Sequence, residues 1–340
     1  MINKILIVAF TYVGTIIGAG FASGQEIKNF FVNYGVLGII SFFLAAFLFY
    51  YIGKKIMLMG HKSRAESYDK ILMYAFTCKA RKLFDYAIVF FLICTATIMS
   101  SGMGAILNQS FGIPKFIGNV GILVIASIFV FLGFAKIMKL SLCVIPMLIL
   151  STLLISSSSF SNVDNISFVS EQMFNNSLFC IFSALLYVSY NIMLSISILP
   201  VLGSSLKSEK EIDKSAKIAS IIIGIVGIII CVAIFLNYSS LSNAEVPLLA
   251  IASKGSVVLS ILYFISFTIA VLTTLVSALY GLYVRANKNI KYFIVAIIVA
   301  FVLSLFGFST LVKTMYTFMG YVGIFIILML IRGFSKSKIK

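Results

Sequence analysis

The residues best suited to chemistry cluster near the N-terminus. Gly14 to Glu26 reads GTIIGAGFASGQE, which sets Gly14, Gly18, Gly20 and Gly24 beside Thr15, Ser23, Gln25 and Glu26 within one apolar stretch. Gly14/Gly18 and Gly20/Gly24 have the small-xxx-small spacing of closely packed membrane helices. Packing alone does not explain polar residues directly after the glycines. The second reading is an unwound segment, whose freed amides bind an anionic group and whose freed carbonyls coordinate a cation. Glu26 is the one acidic residue well inside an apolar stretch, a candidate proton acceptor or gate partner for Lys28 or Lys313, or a carboxylate snorkelling to an outer vestibule.

Three further stretches carry polar groups in apolar surroundings. Tyr187, Ser189, Tyr190 and Asn191 sit halfway along SALLYVSYNIMLSISILP. They are weak helix formers able to bond freed backbone, and they predict a second helix break there. Thr273 and Thr274 are adjacent, with Ala270 one turn earlier. Their hydroxyls either back-bond to their own helix or, with the carbonyls of Gly14, Ile17 and Ala270, supply the neutral oxygen cage that a hard monovalent cation needs. Thr97 and Ser101, with Thr95 and Ser100, line a pocket wall or serve packing. The candidate substrate-binding set is Thr15, Gly18, Ala19, Gly20, Ser23, Thr97, Ser101, Tyr187, Ser189 and Asn191. The candidate sodium-like set is Gly14, Ile17, Ala270, Thr273 and Thr274.

Covalent chemistry has no support. His61 is the only histidine and lies among basic residues. The chain has no GxSxG, Walker or HExxH pattern, so we expect no catalytic residue and no cofactor beyond a sodium ion. The five cysteines have no paired spacing.

These residues must be positioned by membrane helices. Of 340 residues, 61% are hydrophobic and 11% charged, against about 25% charged in soluble domains. The mean hydropathy is +1.13. Apolar stretches of spanning length fall at 4–31, 35–58, 83–109, 114–134, 138–158, 174–202, 215–237, 255–284, 290–307 and 310–331, ten spans in all. The first reads as an uncleaved anchor despite the small residues Gly20 and Ala22, because its leading region holds a single lysine. With both termini in the cytoplasm, 22 of the 26 basic residues fall on the inner side. The net charge of +16 therefore reports topology, and no nucleic-acid partner is expected.

Long connectors at 59–82 and 238–254 occupy equivalent places in a division into residues 1–158 and 159–340. Each holds a short-helix candidate, the first with a Ser63–Glu66 capping box, the second with Asn243 as cap and Pro247 in its first turn. The expected fold is all-α, one membrane domain of ten helices arranged as a five-plus-five inverted repeat with helices 1 and 6 discontinuous.

Residues 10–38, FTYVGTIIGAGFASGQEIKNFFVNYGVLG, resemble the signature of the YkvI-type amino-acid permeases, a bacterial branch of the amino acid-polyamine-organocation superfamily. The resemblance implies the LeuT-type fold, substrate between helices 1, 3, 6 and 8, a lid in the short helix before helix 8, and rocking of helices 1, 2, 6 and 7. It implies that Gly18, Ala19 and Gly20 form a carboxylate-binding turn and that Thr15 and Ser189 face the amino group. It also likens Ala270, Thr273 and Thr274, with Gly14 and Ile17, to a sodium site. The resulting expectation is a multi-pass transporter of the bacterial plasma membrane, carrying an amino acid or small zwitterion on a sodium or proton gradient. The rival from another class is a non-transporting amino-acid sensor, such as a germinant-receptor-like membrane subunit. Neither the substrate nor the oligomeric state is legible in the chain.

Overall fold

The computed structural model describes residues 2–76, 78–132, 134–158, 177–241 and 244–336. Asn243 and the start of the sixth expected span, 174–176, lie outside the described residues. The helices are α1 (Ile2–Ile16), α2 (Ala19–Ser23), α3 (Gln25–Phe30), α4 (Gly35–Ser63), α5 (Tyr68–Ala75), α6 (Cys78–Phe111), α7 (Lys115–Leu132) and α8 (Phe134–Ser158). They continue as α9 (Ser177–Ser195), α10 (Leu199–Ser205), α11 (Glu209–Leu236), α12 (Pro247–Gly255), α13 (Val257–Arg285), α14 (Ile290–Ser304), α15 (Phe308–Leu311) and α16 (Thr317–Lys336). A π turn, Val312–Tyr316, joins the last two. No strand occurs among the described residues.

Five helical segments among these residues are long and apolar enough to cross a bilayer, and α9 with α10 makes a sixth across a 65° bend. Four shorter apolar helices accompany them. Large apolar side chains such as Phe43, Phe47, Ile128, Ile225, Ile298 and Phe325 face outward. A surface of this kind requires lipid, because water would leave it as an aggregation patch.

The helices pack in two groups. One joins α1, α4, α9, α10 and α11; the other joins α6, α7, α8, α13 and α14. In the first group, Tyr12 of α1 is fully buried and donates its hydroxyl to Phe49 O of α4 at 2.8 Å. At the crossing of α4 and α10 the two backbones touch. A Cβ on Gly60 would lie 2.0 Å from Pro200 O, and one on Gly203 would lie 1.9 Å from Met57 O. Ion pairs tie one end of the molecule: Lys54 with Asp213, and Arg285 with Asp85 at 3.0 Å. The last span, α15 to α16, lies against α9 and α5.

Two local expectations are corrected. Ser63 does not cap the short helix in the first connector. It is the last residue of α4, where its hydroxyl bonds Met59 O at 2.8 Å, and α5 begins beyond Ser67. The second break is also displaced. α9 runs unbroken through Tyr187–Asn191, and the bend falls at 196–198. Pro200 explains the site, since its ring clashes with the carbonyl four residues earlier, here Ile196, and it has no amide hydrogen to continue the helix, whereas the first turn of a new helix accepts it. In the second connector Pro247 opens α12 as expected.

Candidate functional site

The helical path through the first expected span, 4–31, is interrupted twice. Gly18 has φ −102° and ψ −169°, so helical geometry stops after Ile16 and resumes at Ala19. The Gly18 amide, which an unbroken helix would direct to Gly14 O, bonds Ile16 O at 3.0 Å instead. Gly14 O is thereby released from its helical donor. A Cβ placed on Gly18 would meet nothing within 4 Å, so open space adjoins the break, and Gly14, Thr15 and Gly18 are all half-buried. Thr15 itself back-bonds to Tyr12 O at 2.7 Å.

The second interruption is Gly24, at φ +77°, a conformation that L side chains avoid. Ser23 bridges the turn: its hydroxyl donates to Gly20 O at 2.6 Å and accepts from the Gln25 amide at 3.0 Å. Ser23 is fully buried, its hydroxyl already committed to the backbone. Tyr263 of α13 donates to Ala22 O at 2.8 Å, which fixes α2 against the second helix group.

The six-residue α3 is too short to hold itself together, and side chains from elsewhere secure it. Gln25 donates to Ser309 Oγ of α15 at 2.5 Å, Lys28 donates to Leu241 O, and Ser183 of α9 donates to Phe30 O at 2.6 Å. Glu26 is 4% exposed and accepts at Oε2 from Tyr190 Oη of α9 at 2.6 Å. The Tyr316 hydroxyl, on the π turn, faces the same carboxylate. Gly20 admits this arrangement, for a Cβ there would fall 1.7 Å from Glu26 Oε1. Glu26 thus pairs with neither Lys28, which is spent on Leu241 O, nor Lys313, which is exposed. It does not snorkel to a vestibule either.

The other candidates separate into two kinds. Ser189 bonds Leu185 O at 2.6 Å and Asn191 bonds Tyr187 O at 3.0 Å, so both polar groups are satisfied within α9. The Tyr187 ring sits among Phe30, Phe31, Phe42, Phe49 and Tyr190, and its buried hydroxyl faces the Asn191 side chain one turn on. Thr97 and Ser101 are buried in α6, which packs on α2; the Thr97 hydroxyl is unpartnered. In α13, Thr273 donates its hydroxyl to Ala270 O at 3.0 Å, a back-bond within its own helix that pairs two of the five expected cation oxygens with each other, and Thr274 beside them is half-buried.

Sequence reasoning missed Tyr316 and undervalued Tyr190. The available signal was the polar run Ser309, Thr310, Lys313, Thr314 and Thr317 inside an apolar span. It also missed Gln109, whose amide pairs with both backbone groups of Val246 at 3.1 Å and pins the connector ahead of α12. A cleft of about 310 Å³ lies there, bordered by Asn108, Gln109, Glu245 and Ser253, with Lys115 and Glu245 in an ion pair at 3.0 Å.

No protein-family model matches the chain. It is 27% identical to the uncharacterized membrane protein YkvI of Bacillus subtilis over 93% of this chain and 92% of that one. It is 26% identical to the uncharacterized protein YyaD of the same organism over 94% and 93%. Among solved structures, a histidine-to-alanine mutant of the Eremococcus coleocola manganese transporter superposes with TM-score 0.60 over 96% of this chain and 78% of that one, at 13% identity. A glutamate-to-alanine mutant of that transporter matches equally well. The chain is a membrane protein with a transporter's fold. The likeness at this identity concerns the fold alone, so the chemistry has to be read from this chain's own residues.

Proposed function

We propose that the protein is a secondary active transporter of an amino acid or related small zwitterion, coupled to a sodium or proton gradient and working by alternating access. In this reading the chain crosses the membrane ten times as a five-plus-five inverted repeat with both termini in the cytoplasm. The breaks at Ile17–Gly18 and at 196–198 support it, since transporter sites are built at discontinuous helices. The observation that carries the proposal is the break at Gly18: open space meets unwound backbone in the middle of an otherwise packed span. Backbone polar groups are left without helical partners in a membrane only where they line a cavity.

Gly18, Ala19 and Gly20 would receive the substrate carboxylate, with Thr15 beside the amino group and Thr97 and Ser101 on the facing wall. Gly14, Ile17, Ala270, Thr273 and Thr274 would hold sodium. Manganese as cargo lacks a donor set: among the described residues no three His, Cys, Asp or Glu side chains converge. In this reading α1 lies on the cytoplasmic side, the buried and bonded α3 is the outer closure, and the half-buried face of Gly14, Thr15 and Gly18 is the inner approach to the site.

The test is uptake of a uniformly labelled amino-acid mixture by the purified protein in liposomes. Accumulation under an imposed sodium or proton gradient is expected. Absence of uptake under both would remove the proposal.

A further inference from the structure

We propose that Glu26 is a protonation site, neutral in the conformation described here, and that loss of its proton opens the joint between α3, α9 and the π turn. The inference rests on the transport reading for what the proton accomplishes, but the site itself is defined by geometry.

Glu26 is buried to 4% exposure between two helices and a π turn. The groups that face it are hydroxyls: Tyr190 of α9 at 2.6 Å and Tyr316 of the π turn. Tyr187, one turn before Tyr190, is the next titratable group from α9. Cys94 of α6 lies beyond Tyr316, and Cys231 of α11 beyond Tyr187. The nearest lysine in sequence, Lys28, is bonded to Leu241 O. An ionised carboxylate removed from water without a cation to face it is strongly disfavoured, and the usual resolution is to take up a proton.

Packing argues that the cation is a proton and nothing larger. One carboxylate oxygen sits where a Cβ on Gly20 would be, and the other is filled by the Tyr190 hydroxyl. Burial away from any cation, rather than the hydrogen-bond pattern, is what favours the neutral acid. Tyr190 donates to Oε2 and the Tyr316 hydroxyl also faces the carboxyl group as a donor; the two offset part of the burial cost but bring no positive charge, so the proton is the counter-charge. Removing that proton leaves a buried anion, and the same cost that favoured protonation then favours separating α3 from α9 and the π turn until water reaches it. The step moves one proton between Glu26 and water and involves no other reactant. π turns inside helices recur at functional sites, and here one supplies Tyr316.

The experiment is infrared spectroscopy of the full chain in lipid, titrated with pH. The wild type should show a carboxylic-acid carbonyl band at neutral pH that disappears in Glu26→Gln and moves to higher wavenumber in Tyr190→Phe, which removes the donor to that carbonyl oxygen. A wild-type spectrum matching that of Glu26→Gln in this region overturns the proposal. If Glu26→Gln fails to fold, Tyr190→Phe carries the test, and an unmoved band overturns it. In liposomes given the labelled amino-acid mixture, wild-type uptake should depend on the outside pH, by about tenfold per unit at most for a single proton, and uptake by Glu26→Gln should not. An equal response in both overturns the coupling. No wild-type uptake under any gradient defeats the transport reading and leaves the infrared result to stand by itself.

Discussion

Tyr190 and Tyr316 stack with ring centroids 4.5 Å apart and planes 6° from parallel, and both turn their hydroxyls to Glu26. Parallel rings at this centroid separation fit the offset stack that aromatic pairs favour. The stack also sets both hydroxyls on the same side, towards one shared partner. A break in one span, a continuous helix in another and a π turn in a third are therefore joined at a single carboxylate.

Gly20→Ala should break that joint. Its Cβ would fall 1.7 Å from Glu26 Oε1, so the carboxylate has to leave its tyrosines. Overpacking of this kind costs about 1–3 kcal/mol. Gly18→Ala meets nothing within 4 Å and should leave thermal stability nearly unchanged while reducing uptake. Equal melting temperatures for the two variants would contradict the close approach at Gly20.

Thr274→Ala should weaken the sodium dependence of uptake without loss of folding, because Thr274 is half-buried and contributes an oxygen to the proposed cation set. Sodium stimulation unchanged from wild type would eliminate that site.

Gly60→Ala should be more destabilising than Gly20→Ala. The obstacle at Gly60 is the Pro200 backbone at 2.0 Å, which cannot rotate away as a side chain can. A loss of about 3 kcal/mol or more is expected, read as a lowered midpoint in thermal unfolding of the detergent-solubilised protein.

Gln109→Ala should loosen the connector ahead of α12, since it removes two hydrogen bonds to Val246. About 1–3 kcal/mol of local stability is at stake, and hydrogen exchange at 244–250 should accelerate while exchange in α6 does not. Unaltered exchange in the connector would show that other contacts hold it.

Much of the helical framework was legible because apolar runs of spanning length admit little else. The break at Gly18 was legible too, since glycines followed by polar residues within a span have few other uses. The bend after α9 was misplaced. Ser189 and Asn191 looked like groups awaiting freed backbone, yet each bonds a carbonyl of its own helix, and the operative residue was Pro200. The partners of Glu26 were not legible at all. Tyr190 and Tyr316 are remote in sequence from Glu26, and one arrives through a π turn that no periodicity announces. The Lys28 pairing failed for the same reason: proximity in sequence suggested a neighbour that the fold directs to Leu241 O.

The paired glycines at the crossing of α4 and α10 carry a mechanical implication. With Gly60 seated on Pro200 and Gly203 on Met57, the two backbones touch with no side chain between them to cushion a shift. Whatever moves α10 must carry the end of α4 as its passenger. The slack for any rearrangement of this span then has to be found in the short bend at 196–198, the compliant joint next to a rigid coupling.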